Sequence, residues 1–359
     1  MDALEHARAE IDEVDAQLAA LFERRMAAVL QVAEYKRAHS LPIFDAAREA
    51  AVLEKAAARI HAPALRPYYK DHVQNMMDVA KQYEALILGQ NRAAYQGVEG
   101  AFAHIALRAL FPHAEAVSCP TWDEVFAAVE RGDAAHGVVP FENSHAGDVS
   151  AVLDLCYNHP DLWVVDVYDL PISQNLLVLP GTQLAEIRSV YSHQQAIAQS
   201  ETFLKQFHLP ATAMLNTAMA AKMVAEKGDR HAAAISSHPC AALYGLPCLN
   251  DSIQDSDNNY TRFICITKDP VIYAGANRIS LIIAFDNRPG ALYEILSKLA
   301  ALDINMTKLE SCPVAGSDFE FVFFLELDAS VQDPSVLAML EEMERSCAEF
   351  QFLGNYAEV

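Results

Sequence analysis

Residues 3–39 read ALEHARAEIDEVDAQLAALFERRMAAVLQVAEYKRAH. Their apolar side chains fall at Leu4, Ile11, Val14, Leu18, Leu21, Val29 and Val32, and steps of three, four and seven mark one long amphipathic helix. At 1.5 Å per residue that helix is roughly 55 Å long. Two further helices are expected, one from a cap at Asp45 to about His61, before Pro63, and one from about Pro67 to Leu88. Neither is long enough to cover the stripe of the first. A second copy of the chain is the expected cover, so a homodimer or higher homo-oligomer is expected.

The same helix carries cations where apolar side chains belong. Arg25 falls inside the stripe, and Lys36, eleven residues on, lies within roughly 20° of three full turns from it, so the two share a face. Arg8 is roughly 25 Å along the axis and about 100° round from Arg25. It is either a surface charge or part of a site on another copy. Burying unpaired cations costs several kcal/mol each, which a dianionic ligand would offset. Asp45, Arg48 and Glu49 follow just past Pro42.

With these residues in place, 1–90 resembles the all-helical chorismate mutase module, through R-x16-R-x10-K-x8-D-x2-R-E. In that family long helices of two subunits intertwine and each site borrows an arginine. The resemblance implies that Arg25 and the partner copy's Arg8 bind the two carboxylates of chorismate. Lys36 would bind a carboxylate and the ether oxygen, Glu49 the ring hydroxyl, and Asp45 and Arg48 would order the loop and second helix. By register, the ether-oxygen donor on the third helix is Glu84, where some relatives have Gln. A protonated Glu84 could donate to that oxygen, whereas an ionised one would repel it. The rearrangement needs no covalent help, only a held conformer and preorganised cations.

After Gln90 the pattern changes to alternating strands and helices. A turn with Gly97 and Gly100 leads from a strand at Ala93–Tyr95 into a helix near Ala103. Val138 to Ser144 ends a strand in three polar residues, and His145-Ala146-Gly147 leads towards a helix. Tyr191 to Ala196, Asn216-Thr217-Ala218 and Asn258 to Phe263 are further polar entrances to helices or strands. Each alone is more often a cap or turn; four together suggest an α/β domain with its site at the loop ends. This stretch, 93–268, is similar to prephenate dehydratase through Gly97 and Gly100, Glu142-Asn143-Ser144, Ser192-His193-Gln194, Thr217 and Thr261-Arg262-Phe263. Ala101 and Ala103 stand where that family has hydroxyl residues. The resemblance implies two lobes like those of a periplasmic binding protein, a central role for Thr261 in loss of the ring hydroxyl, and Arg262 gripping a substrate carboxylate. A threonine hydroxyl is too weak an acid to protonate a leaving group alone; Glu142 and His193 are candidate proton sources.

Beyond a linker at Pro270–Asn277 comes a β-α-β-β-α-β series, the ferredoxin-like pattern, over 277–359. It resembles the ACT module that binds amino acids. Its ligand loop corresponds to Arg288, Pro289, Gly290, Ala291 and Leu292, and its second motif to Glu310 and Ser311, followed by Cys312 where the dehydratase family commonly has arginine. The resemblance implies phenylalanine as an effector.

Composition bounds the alternatives. The net charge of −22 excludes nucleic acid as an expected partner, since phosphate binding needs a basic surface. The charge is uneven: residues 1–90 carry 11 Lys and Arg against 14 Asp and Glu, a net of −3, leaving −19 for the rest. No apolar run of 18 residues or signal peptide is present, so a cytoplasmic location without membrane contact is expected. The seven cysteines have no C-x2-C spacing and the 13 histidines no ligand spacing, so neither a metal nor another cofactor is expected.

The sequence thus predicts a multidomain chain. Its parts are an all-α intertwined-dimer chorismate mutase module, an α/β two-lobed periplasmic-binding-protein-like dehydratase domain, and an α+β ferredoxin-like ACT domain. The function expected is a bifunctional enzyme of phenylalanine biosynthesis acting on chorismate and prephenate. The runners-up are a monofunctional dehydratase with a helical dimerisation module and a noncatalytic amino-acid sensor.

Overall fold

The computed structural model describes residues 3–39, 46–87, 91–145, 147–256, 258–272, 275–285, 288–313 and 321–357. The chain divides into two compact units, Met1–Asn91 and Arg92–Val359.

The first unit is helical, with α1 (Ala3–His39), α2 (Ala46–Ala58) and α3 (Arg66–Ile87). Its core is small, centred on Ala56, Val73 and Met77 with Val52, Leu53, Tyr69 and Met76 around them. Leu4, Ile11, Val14, Leu18, Leu21, Phe22, Val32 and Tyr35 of α1 are each more than 40 % exposed, so the stripe is uncovered within one chain.

The second unit begins with a lobe of β1 (Arg92–Gln96), α4 (Phe102–Leu110), β2 (Glu115–Cys119), α5 (Trp122–Arg131), β3 (His136–Asn143), β4 (Gly147–Asp148), α6 (Ser150–Asn158) and β5 (Trp163–Pro171). The chain crosses into a second lobe of β6 (Asn175–Val178), β7 (Ser189–His193), α7 (Gln194–Gln199), α8 (Glu201–Gln206), β8 (Ala211–Met214), α9 (Thr217–Lys227), β9 (Ala232–Ser236), α10 (His238–Tyr244) and β10 (Cys248–Asn250). It then returns as β11 (Tyr260–Thr267), which inserts between β3 and β5 to give the order β2-β1-β3-β11-β5; the second sheet runs β10-β6-β9-β7-β8. Two sheets joined by two crossing segments make the two-lobed, periplasmic-binding-protein-like arrangement expected. The strand Ala232–Ser236 is buried along its whole length, as befits a strand covered on both faces. Thr121 caps α5 by accepting from the Glu124 amide and Asn216 caps α9 by accepting from Met219.

The last segment forms β12 (Arg278–Ala284), α11 (Ala291–Ala301), β13 (Asn305–Pro313), β14 (Phe321–Asp328), α12 (Pro334–Ser346) and β15 (Glu349–Tyr356), an antiparallel sheet of order β13-β14-β12-β15. One face of it holds α11 and α12 through Ile279, Leu281, Ile283, Ile295, Leu299, Met339 and Met343. The other face packs on the first lobe, where Ile282, Phe324, Leu353 and Tyr356 share a core with Phe141, Val164 and Ile264. Gly354 lies at a close approach of the two: a Cβ there would lie 1.9 Å from the Val164 carbonyl oxygen, so only glycine admits the approach of β15. Among the described residues no helix is long and apolar enough to cross a membrane.

Candidate active sites

In the helical unit, α3 receives the cations of α1. Arg25 donates from Nη1 to the Met76 carbonyl at 3.1 Å. Lys36 Nζ lies 3.0 Å from Oε1 of the buried Glu84, at ion-pair distance but out of hydrogen-bond alignment. Glu49 pairs with Lys81 at 3.0 Å, and Lys81 pairs with Asp78 at 2.8 Å. Burial opposes the charge on Lys81, but the hydrogen bonds to Asp78 and Glu49 outweigh it and hold its pKa above the ordinary lysine value. Lys81 was not singled out by the sequence; it occurs one turn before Glu84 on α3 and was readable only as a helix-surface charge. Arg8 and Arg48 are exposed in the single chain, and Asp45 lies outside the described residues.

In the two-lobed part, the polar residues gather on Asn143 at the end of β3. Its side-chain amide is directed at Asn259 Oδ1 (3.1 Å), the Tyr260 carbonyl (3.0 Å) and Thr261 Oγ1 (3.0 Å). Its Oδ1 accepts from Gln195 Nε2 and from the His145 amide, both at 3.1 Å. Asn143 and Thr261 are direct cross-strand partners, as are Glu142 and Arg262. Gln195 and Asn259 also line a pocket of about 320 Å³, together with His145, Ala198, Gln199, Gln254, Asp255 and Ser256. Among the described residues the lining is rich in amides and contains no lysine or arginine. Gln195, Asn259 and His145 come from the first turn of α7 and from two loops. His145 is adjacent to Asn143 locally, Asn259 arrives with the pairing of β11 on β3, and only Gln195 is brought there by the crossing between lobes, which local pattern does not reveal.

Other expected residues sit elsewhere. Ser144 closes the β3–β11 end, with Oγ donating to the Asn258 carbonyl (3.1 Å) and accepting from the Tyr260 amide (2.9 Å). Ser192 is fully buried and donates to the Ile235 carbonyl at 2.6 Å, a bond between β7 and β9. His193 caps α7, with Nδ1 accepting from the Gln195 amide at 3.3 Å; burial lowers its pKa, which suits the neutral ring this cap requires. Thr217 is buried at the start of α9. Phe263 belongs to the core with Tyr95, Val138 and Leu170. Gly97 and Gly100 both have positive φ, and a Cβ on Gly100 would meet the Cys240 sulfur at 2.8 Å, so that turn needs glycine for conformation and for its contact with α10.

Arg262 and Glu142 point away from the pocket, towards the C-terminal sheet. Arg262 makes a bidentate pair with Asp169, 2.9 Å on each side, and lies 3.6 Å from Glu326 of β14. Asp169 holds its guanidinium pKa above the ordinary arginine value. Glu142 is 2.8 Å from Lys308 of β13. This departs from the expectation that Arg262 grips substrate and Glu142 supplies a proton. Strand alternation puts neighbours on opposite faces, and a register shift between Arg262 and Phe263 adds a bulge that turns Phe141 and Glu142 to the same side. The segment after His145 also differs: the short β4, paired with β3, precedes α6, and Ala146 lies outside the described residues.

In the C-terminal sheet, Gly290 has φ of 89° and caps α11, and Ala291 is buried behind it. Arg288 pairs with Glu294 at 2.6 Å. On β13, Glu310 is half-buried, Ser311 exposed and Cys312 buried, with burial pushing the Cys312 thiol up to about 11.

Comparison with known proteins adds to this geometry. Residues 93–271 match the prephenate dehydratase family and residues 7–85 the chorismate mutase type II family. The chain is 30 % identical to the bifunctional chorismate mutase/prephenate dehydratase of Aquifex aeolicus, over 99 % of this chain and 98 % of that one. Among solved structures it is similar to the prephenate dehydratase of Arthrobacter aurescens in complex with L-Phe, with a TM-score of 0.69 and 28 % identity over 74 % of this chain and 90 % of that one. It is also similar to GqqA, described as a novel type of quorum quenching acylase, with a TM-score of 0.67 and 30 % identity over 75 % of this chain and 98 % of that one.

Proposed function

The chain belongs to the bifunctional chorismate mutase/prephenate dehydratase family, and on that premise we propose that it rearranges chorismate to prephenate in its helical unit and dehydrates and decarboxylates prephenate to phenylpyruvate in its two-lobed unit. The observation that carries the reading is that one chain builds both polar sets: cations of α1 turned onto α3, and Thr261 and Asn143 beside an amide-lined pocket.

For the rearrangement, Arg25 and Lys36 supply positive charge for the substrate carboxylates and for the ether oxygen that gains negative charge. A dianion entering this face competes with the Met76 carbonyl and with Glu84 for those cations. A second copy covering the exposed stripe of α1 completes the site with its own Arg8, so the working form is at least a homodimer.

For the dehydration, Thr261 accepts from Asn143, which leaves the threonine proton for the departing ring hydroxyl. Asn143 is itself fixed by Gln195 and Asn259, so the donor is held in place before substrate arrives. His145, on the pocket wall, is the better-placed proton source than Glu142, which faces the other way. Loss of hydroxide and carbon dioxide together aromatises the ring. The C-terminal sheet takes phenylalanine through Pro289, Gly290, Ala291, Leu292, Glu310 and Ser311, and the seven free cysteines suit a reducing cytoplasm.

The test is to incubate the purified chain with chorismate, follow prephenate and phenylpyruvate by chromatography, and repeat with added phenylalanine. Phenylpyruvate formation, lowered by phenylalanine, is expected. Prephenate without phenylpyruvate would contradict the second activity, and no consumption of chorismate the first.

A further inference from the structure

The fronts of β3 and β11 carry Asn143 and Thr261; their backs, at the adjoining cross-strand pair, carry Glu142 and Arg262. Glu142 is held by the C-terminal sheet, and Arg262 is held by Asp169 of β5 from one side and faced by Glu326 of the C-terminal sheet from the other. Lys308, only 10 % exposed, sits 2.8 Å from Glu142, pairs with Asp148 of β4, and lies 5.2 Å from the centre of the Phe141 ring. Glu326, 4 % exposed, faces Arg262 at 3.6 Å and accepts from the Tyr356 hydroxyl at 3.0 Å, which also contacts Ser280 at 2.6 Å. Neither Lys308 nor Glu326 reaches the pocket lining. Charges this buried hold one geometry, because a displaced partner leaves the other uncompensated.

We propose that Lys308 and Glu326 are positioning residues for the dehydration. They fix, from behind, the two strand positions whose fronts hold Asn143 and Thr261 at 3.0 Å, so the C-terminal sheet is a structural part of the dehydratase site. Lys308 lies two residues before Glu310 on β13, so a shift of that strand is transmitted through Glu142 to Asn143. The inference rests on the functional reading above, and names how the C-terminal sheet acts on that site.

The experiment measures steady-state dehydration of prephenate by the full chain and by Lys308→Met, Lys308→Arg, Glu142→Gln, Glu326→Gln and the Lys308→Met/Glu142→Gln double variant. Circular dichroism and a thermal melt of each preparation report that the two-lobed unit is folded, and chorismate consumption reports that the helical unit is active. A misplaced donor lowers kcat more than it raises KM. We expect kcat to fall about tenfold with KM changed less than about twofold, partial recovery in Lys308→Arg, and a double variant no worse than either single one. Should Lys308→Met not fold, Glu142→Gln and Glu326→Gln, near-isosteric changes, carry the same expectation. Unchanged kcat in these variants, or losses that multiply in the double variant, would overturn the proposal. A wild-type chain that does not dehydrate prephenate would instead overturn the functional reading itself.

Discussion

Thr261 and Arg262 are neighbours with opposite duties: one accepts from Asn143 beside the pocket, the other is locked to Asp169 and Glu326 behind the strand. The block Thr261-Arg262-Phe263 was visible in the sequence, and a two-residue period already separates Arg262 from its neighbours. The bulge that turns Glu142 to the back was not visible, because it depends on pairing between segments 118 residues apart. His136, at the start of β3, yields a prediction of its own. Burial lowers its pKa to about 4, and Phe111 stacks on it with ring centres 4.5 Å apart. The fold therefore prefers the neutral ring, while the unfolded chain takes up protons below about pH 6.5. Stability from this group is complete above that pH and is lost as pH falls from about 6.5 to about 4, by roughly 2–3 kcal/mol. Chemical denaturation across that range should show a shallower acid loss for His136→Phe than for wild type; parallel curves would remove His136 from the account.

The long helix α1 was legible from end to end, since the spacing of its apolar residues needs only the helical period. What covers them is not written in one chain. Eight large side chains remain more than 40 % exposed, and burying each contributes about 1–2 kcal/mol, of the order needed for stable association. Replacing Leu18 and Leu21 with Glu should therefore halve the mass seen by sedimentation and lower chorismate mutase activity at least about tenfold, while dehydration of added prephenate persists. An unchanged mass would show that the stripe is covered in another way. The C-terminal β-α-β-β-α-β order was equally plain in the pattern. Its docking was not, because Gly354, the residue that permits it, reads in sequence only as a weak strand position.

At the scale of the whole molecule, charge is divided between the two activities. Most of the net −22 lies beyond residue 90, where the pocket proposed for prephenate is lined with amides, whereas the helical unit, at −3, turns cations of α1 onto α3, where the proposed chorismate site lies. Added salt screens both fields. KM for prephenate should therefore fall, and KM for chorismate rise, between roughly 0.05 and 0.3 M ionic strength; the same direction for both would contradict the division. The central claim is that two chemically separate sites act in sequence within one polypeptide. It is tested most directly by giving full-length Thr261→Ala and Lys36→Met, in parallel, chorismate and prephenate. The account predicts that Thr261→Ala accumulates prephenate from chorismate at the wild-type rate, and that Lys36→Met leaves chorismate untouched yet converts prephenate to phenylpyruvate. Loss of both activities in either folded variant would contradict it.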